Sequence, residues 1–355
     1  MKFLKLFVTA YFLLGGVAMA QTQTKAQTKS ESWDKTFAKS EKVEVQKVIF
    51  KNRYGIALVG DLYIPKTLLK DSKNAKLPAI AISGLFGAVK EQASGLYAQN
   101  LAEQGFITLA FDPSFTGESA LANKTLPQSV ASPDINTEDF SAAVDFLANH
   151  TKVDSNKIGI LGICGFGGFA LNAAAMDTRI KATITSTMYD MTRISAKGYD
   201  DKQDSKEERK KLKETLNAQR TKDFKSGGFA KAGGLPDSLR GDEPQFIKDY
   251  HDYYKNKDRG FHPRSINSTD GWNLTSSLSL INVPILAYAD EIDSAVLVIH
   301  GENAHSRYFS EDTFKKLKGK NKELLIIKGA NHTDLYDNVE KIPFSKMVAF
   351  LRENL

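Results

Sequence analysis

The sequence predicts an α/β fold: a doubly wound, mostly parallel sheet with an antiparallel hairpin at its N-terminal edge and a large lid insertion late in the chain. Three observations predict it. Unbroken apolar runs at 78–83, 106–111 and 158–163 have the character of strands covered on both faces. Helix-patterned stretches separate them, and strand–helix alternation of this kind winds into a parallel sheet. The rhythm breaks at Tyr189 and resumes only after Pro284, so 189–284 reads as one insertion, the lid.

Taken in order, 43–51 and 56–64 alternate apolar and polar residues around Asn52-Arg53-Tyr54-Gly55, the pattern of an edge hairpin. The run 78–83 is followed by a helical stretch over 90–104, closed by Gly105, and 106–111 ends at Asp112-Pro113. Phe140, Ala143, Val144 and Leu147 fall at i, i+3, i+4 and i+7, which gives an amphipathic helix with Asn136 or Thr137 as its cap. The strand 158–163 leads into an alanine-rich helix over 169–176, and 181–188 is the next strand. Inside the insertion, 201–225 is a charge-dense helix whose charges suit a solvated face, and 227–234 is glycine-rich. Aromatic residues cluster at Tyr250-His251-Asp252-Tyr253-Tyr254 and Phe261-His262-Pro263, where they suit either the lining of a cleft or packing of the insertion onto the domain. Strand 295–300, helix 311–317, strand 323–327 and a helix over 343–351 complete the chain.

With 355 residues, 41% hydrophobic and 25% charged, the composition suits one large globular domain. Lys2 and Lys5 precede an apolar run over 6–17, and Ala18-Met19-Ala20 before Gln21 has the small-residue pattern of a secretory cleavage site. Residues 1–20 therefore read as a signal peptide, and the mature protein as exported, periplasmic or secreted. The apolar run is too short to span a bilayer comfortably. The polar stretch 21–40 reads as a flexible leader, leaving 41–355 as the folded domain. A net charge of +6, with lysines interspersed among acidic residues and no arginine-rich block, argues against a nucleic-acid partner. One cysteine, Cys164, excludes an internal disulfide. A lone thiol carried into an oxidising compartment is open to oxidation, so its retention leans toward use.

Cys164 stands at the corner of Gly162-Ile163-Cys164-Gly165-Phe166-Gly167-Gly168. A sharp strand-to-helix turn holds its corner residue in a strained backbone conformation, projects the side chain and demands small neighbours. It also sets that side chain at the positive end of a helix dipole, which favours thiolate over thiol. The stretch resembles the nucleophile elbow of the α/β-hydrolases, and cysteine in place of serine is similar to their dienelactone hydrolase-like branch. The resemblance extends from about Val43 onward. Phe166 departs from it, because elbows usually carry a small residue two places after the nucleophile. A buried structural cysteine on a glycine-rich turn is the competing reading.

The resemblance implies a histidine in the loop after the last strand, and His332, in Gly329-Ala330-Asn331-His332-Thr333-Asp334, occupies that place. Histidine suits a proton shuttle because its pKa lies near working pH. His300 reads as a core residue at a strand end, while His150, His251, His262 and His305 have no comparable placement. The family's acid commonly follows a His-Gly pair, at the third position past the glycine; after His300-Gly301 that position is Ala304. Glu302 is the nearest carboxylate and ranks slightly above Asp190, the alternative acid after the strand that precedes the insertion. A thiol needs an orienting acid less than an alcohol does. For the oxyanion hole, Gly165 supplies one N–H, and Ser83-Gly84-Leu85-Phe86-Gly87, which resembles the family's His-Gly-x loop, nominates Leu85 with Phe86 as the fallback. No residues stand at metal-ligand spacing, and the glycines depart from the G-x-G-x-x-G of dinucleotide-binding folds, so no cofactor is expected. The reading is a hydrolase that cleaves an ester, lactone or thioester of a small molecule through an acyl-enzyme. A non-catalytic binding protein on a degenerate fold, favoured by Phe166 and Ala304, and an acyltransferase remain alternatives.

Overall fold

The computed structural model describes residues 33–67 and 76–355. The signal peptide expected over 1–20 and the leader as far as 32 lie outside the described residues. Eight strands form one sheet: β1 (Val43–Lys51), β2 (Ala57–Pro65), β3 (Leu77–Ser83), β4 (Ile107–Phe111), β5 (Val153–Ile163), β6 (Ile180–Ser186), β7 (Ala295–Gly301) and β8 (Lys322–Ile327). Their spatial order is β1-β2-β4-β3-β5-β6-β7-β8. The first two contacts, β1–β2 and β2–β4, are antiparallel, and all the others are parallel. The expected doubly wound sheet with an N-terminal hairpin is thus present. The chain runs outward from β3 to β4 and then returns to the other side of β3 for β5. Strand order reverses there, and crevices at the carboxyl ends of such neighbours are where α/β folds bind ligands.

The principal helices are α1 (Ala93–Glu103), α2 (Pro133–Ala148), α3 (Gly165–Met176), α4 (Met191–Lys197), α5 (Lys206–Ser226), α6 (Gln245–Lys255), α7 (Arg307–Lys316) and α8 (Phe344–Asn354). Alternating strand residues feed two cores, as the two-residue period of a strand requires. Ala79, Ala81, Val296 and Val298 pack with Phe140 and Leu147 of α2 and Phe169 of α3. Ile80, Ile82, Leu297 and Ile299 pack with Tyr97 and Leu101 of α1 and Phe350 of α8. Both faces being covered explains why these strands read as continuous apolar runs.

Two expectations need correcting. The cap of α2 is Ser132, whose Oγ accepts from Ile135 N, with Pro133 at the first helical position; Asn136 and Thr137 lie inside the helix. Asn136 Oδ1 instead accepts from Ser132 N, so the apolar period began a turn later than the helix. The leader, expected to stay free to residue 40, is docked from Asp34 onward. Thr36 N donates to Glu91 O, Ser40 N donates to Gln99 Oε1, and Lys35 pairs with the buried Asp61. Its polarity suggested solvent, whereas its partners are polar groups more than fifty residues away on the domain, or in the case of Lys35 a carboxylate on β2.

Between β6 and β7 the insertion supplies α4, α5 and α6. Helix α5 is solvated as expected, with only Leu216 and Asp223 buried along its 21 residues, Ser205 capping its start and Gly227 ending it at φ +69°. Helix α6 turns Tyr253 and Tyr254 inward against Tyr336. No described helix is long and apolar enough to cross a membrane.

Candidate active site

The strand β5 passes into α3 at Cys164, whose φ of 55° and ψ of −130° lie in a region that side-chain-bearing residues rarely occupy. Three backbone hydrogen bonds hold it there: Cys164 N donates to Ser186 O at 3.0 Å, and its carbonyl accepts from Gly167 N and Tyr189 N, both at 2.9 Å. The small neighbours are needed for close approach. A Cβ on Gly162 would sit 2.2 Å from Phe166 O, and one on Gly165 would sit 2.7 Å from both Phe86 Cβ and Met191 Cγ. Phe166 does not obstruct the corner, because its ring turns away into a cluster with Phe86, Phe140 and Phe169.

The Cys164 thiol hydrogen-bonds to the Tyr336 hydroxyl and faces the N–H groups of Phe86 and Gly165. These contacts favour the thiolate, yet burial outweighs them and pushes the thiol above its ordinary pKa. The expected resting thiolate is therefore corrected to a resting thiol: the helix start stabilises the anion less than loss of water costs it.

Tyr336 stands between the thiol and His332, with its Oη 2.9 Å from His332 Nε2. On the other side of the ring, His332 Nδ1 lies 2.6 Å from Ser306 Oγ and 2.8 Å from Thr187 Oγ1. Ser306 Oγ is in turn 2.9 Å from His300 Nε2, and His300 Nδ1 is 2.6 Å from Ser310 Oγ. One assignment satisfies every group: Tyr336 donates to His332 Nε2, His332 Nδ1–H to Ser306, Ser306 to His300 Nε2, and His300 Nδ1–H to Ser310. Both imidazoles are then neutral. Burial drives the pKa of His332 well below 6.5 and that of His300 to about 3; the closeness of the imidazoles of His300, His305 and His332 further disfavours charging any of them, and Arg307 adds to this at His300. His300 is the satisfied core residue the sequence indicated.

Tight packing fixes this arrangement. A Cβ on Gly301 would meet Ala330 O at 2.4 Å and Asn331 O at 2.8 Å, so the histidine loop lies directly on the strand end. Asn331 Oδ1 accepts from Asp334 N at 2.7 Å, and Asp334 Oδ2 accepts from Asn331 N at 2.8 Å, closing the turn. Tyr97 of α1 binds the loop through Leu335 O at 2.6 Å and β6 through Ser186 Oγ at 2.8 Å. Thr187, at φ +47°, is held by its N–H on Ile299 O, which aims its hydroxyl at His332.

Of the sequence-predicted site residues, Cys164, Gly165 and His332 are brought together, and the two acids are not. The exposed Glu302 turns its carboxylate onto Gly329 N at 2.8 Å. Asp190 caps α4, its Oδ1 accepting from Thr192 N, Thr192 Oγ1 and Arg193 N, and it borders a separate surface groove with Arg193 and Lys316. Both follow strands at the correct sheet edge, but their side chains are committed locally, and two hydroxyls take the place of the carboxylate. Of the two oxyanion-loop residues nominated, Phe86 has its N–H on the sulfur, and Leu85 has its side chain packed into the apolar core. Tyr336, Ser306 and Thr187 went unrecognised. For Tyr336 the only cue was its closeness to His332 in sequence, four residues on in the short helical turn Asp334–Asp337. For Ser306 and Thr187 there was none.

Above Cys164 lies a cavity of about 200 Å³. Loops at the sheet's edge contribute Phe86 and Tyr336, and the insertion supplies Tyr189 and roofs the cavity with Tyr199, Tyr250 and Tyr254. Tyr250 Oη is 2.9 Å from Tyr189 Oη, and Tyr189 also bonds to His305 Nε2. His305 was passed over in the sequence; it stacks on Phe246 at 4.3 Å, and burial lowers its pKa to about 4.

A doubly wound sheet that presents a strained corner residue at its switch point, with a histidine loop after the last strand, defines an α/β-hydrolase fold. More particularly, residues 66–224 match the dienelactone hydrolase family. An uncharacterized Pseudomonas aeruginosa protein, PA2218, is 54% identical over 327 residues, covering 92% of this chain and 85% of that protein. Its crystal structure superposes with a TM-score of 0.85, covering 94% of this chain and all of the other. The uncharacterized Escherichia coli protein YcjY is 32% identical over 316 residues, 87% of this chain and 99% of its own. The α/β hydrolase GrgF from a Penicillium species shares the fold at 19% identity, with a TM-score of 0.67 over 88% of this chain and 99% of that one.

Proposed function

We propose that the protein hydrolyses an ester, lactone or thioester through an acyl-enzyme on Cys164. The single observation that carries this reading is the continuous path from thiol through Tyr336 to the neutral His332, beside two converging backbone N–H groups. As the sulfur attacks the carbonyl carbon, the thiol proton passes to Tyr336 oxygen and the tyrosine proton to His332 Nε2. The carbonyl electron pair moves onto oxygen, where Phe86 and Gly165 N–H donate. Collapse expels the alcohol or thiol, which takes the proton back along the same path and leaves an S-acyl enzyme. Water then attacks that thioester, gives its proton to the relay, and the returning proton restores the thiol. A neutral relay suits a buried site, since no ion pair has to exist there before substrate arrives.

Attack on an ester-type carbonyl is supported by the match of residues 66–224 to a hydrolase family; cysteine as the nucleophile is inferred from the corner and the path to His332. The test is to incubate purified protein with short p-nitrophenyl esters and lactones and to look by intact mass for an S-acyl adduct. Turnover and an adduct that both vanish in Cys164→Ala support the reading. Turnover that persists in Cys164→Ala overturns it, and tight binding without turnover points to the binding-protein alternative. Release of nitrophenol that depends on an added alcohol or amine marks acyl transfer. We also propose export, on the strength of the charge, apolar run and Ala18-Met19-Ala20 pattern of residues 1–20; recovery of the protein in the cytoplasmic fraction, uncleaved, would refute it.

A further inference from the structure

We infer that the acyl group taken by this cavity is uncharged and about the size of a single six-membered ring. The kinetic arm of this inference rests on the acyl-enzyme reading; the binding arm does not. The first argument is charge. No side chain lining the cavity is ionised: beside the tyrosines and Cys164 the walls are Phe86, Met191, Ile194, Leu235 and Asn267. Burial holds the hydroxyls of Tyr189, Tyr250, Tyr254 and Tyr336 well above their ordinary pKa, so they remain neutral donors. The arginines on the same elements are occupied elsewhere. Arg193, next to Ile194 on α4, binds Asp201 and Asp312, and Arg259, just beyond α6, binds Asp252 and Asp337. A carboxylate brought in would lose its water and meet no cation, whereas a neutral group loses little.

The second argument is size and shape. An apolar cavity of roughly 150 Å³ is enough to hold benzene, and this one measures about 200 Å³. It therefore admits a ring bearing its reacting carbonyl, whereas an extended fatty acyl chain fits only in part and leaves the rest of its apolar length in water. Its walls are largely flat aromatic faces, which favour a flat occupant through offset or edge contacts. The insertion also ties the roof to the oxyanion loop. Asn267 donates from Nδ2 to Phe86 O at 2.7 Å and from its backbone N to Gly87 O at 3.0 Å, Ser265 Oγ donates to Gly87 O at 3.0 Å, and Trp272 stacks on Phe86 at 4.3 Å. With the roof bound to the loop that carries the Phe86 N–H, the cavity is not free to widen without moving an oxyanion donor.

The experiment compares phenyl esters with one leaving group and different acyl groups: acetyl, benzoyl, phenylacetyl, hemisuccinyl and dodecanoyl. The ring-sized acyl groups should give kcat/KM at least tenfold above acetyl and a hundredfold above hemisuccinyl, with dodecanoyl below acetyl. Leu235→Trp, which fills the cavity from the insertion, should lower the benzoyl-to-acetyl ratio at least tenfold; Ile194→Phe serves the same end if the first variant fails to fold. Independently of turnover, calorimetry on Cys164→Ala should detect benzamide and not benzoate. If esterase activity is absent or survives Cys164→Ala, the hydrolase reading fails and the calorimetry alone judges the cavity. Preference for hemisuccinyl or dodecanoyl, or tighter binding of benzoate than benzamide, overturns the inference.

Discussion

Replacing Tyr336 by Phe isolates the relay. The ring is fully buried and phenylalanine keeps its volume, so the change removes one oxygen from between Cys164 and His332. His332 Nε2 then faces an apolar edge, while Nδ1 keeps Ser306 and Thr187. General-base assistance is worth about 10²–10⁴-fold; because the oxyanion donors and the cavity walls stay in place, kcat should fall by roughly 10²–10³, or about 3–4 kcal/mol of transition-state stabilisation. KM should stay within about threefold, since the lost hydroxyl acts on the proton rather than on the acyl group. The hydrogen bonds of the hydroxyl to Cys164, His332 and Tyr254 are lost and a ring nitrogen is left unpartnered, so the fold should lose about 1–3 kcal/mol, which a melting curve must show to be tolerable at assay temperature. The decisive readout is the pH profile. In wild type the relay removes the thiol proton, so acylation changes little with pH near neutrality. In the variant only ionised thiol reacts, and because burial holds the Cys164 pKa above its ordinary value, the rate should climb about tenfold per pH unit through the neutral and mildly alkaline range. A variant within fivefold of wild type, with an equally flat profile, would refute the relay and leave His332 acting on the thiol directly.

The remaining predictions follow from the same geometry. Glu302→Gln, at the residue the sequence ranks first as the acid, should change kcat less than about twofold, since its carboxylate caps Gly329 N outside the cavity; Asp190→Asn should leave kcat nearly unchanged and lower stability by about 1 kcal/mol or less through the α4 cap, both checked by steady-state kinetics and thermal melts. Ser306→Ala and Thr187→Val should each slow acylation by roughly tenfold and together by far more, because either hydroxyl alone can hold the Nδ1–H; additive small effects in a double-mutant cycle would contradict this. His332 must be neutral to accept a proton, and its pKa is depressed, so the active form persists as pH falls: kcat/KM should show no loss as pH falls through 6.5, whereas an inflection near 6.5 would mean the imidazole is more solvated than its burial indicates. Gly84→Ala should abolish activity or folding, since its backbone sits at φ +124° and a Cβ would lie 2.3 Å from Ile163 O; retained activity with an unchanged melting temperature would show that the loop beside Cys164 gives way.

The sequence by itself determined the order of elements, the two-sided sheet and the corner that carries Cys164. Those features are local: period-two burial, unbroken apolar runs and glycines at a strand end follow from the residues within a few positions of one another. It also determined which loop carries the histidine, because in a parallel sheet every strand's carboxyl end lies on one edge. What the tertiary structure alone decided is what each group at that edge touches. Glu302 and Asp190 were at the correct ends of the correct strands, yet a side chain's direction depends on nearby backbone donors, and Gly329 N and the α4 start claimed them. Ser306 and Thr187 carry no signal in sequence, since a hydroxyl becomes a histidine's partner only when a distant loop is folded onto it. The protonation state of Cys164 was decided the same way. The helix start favouring the thiolate is written in the chain, but the burial that overrules it comes from a roof whose tyrosines lie as much as ninety residues further along, and desolvation is a property of the assembled cavity rather than of any one segment.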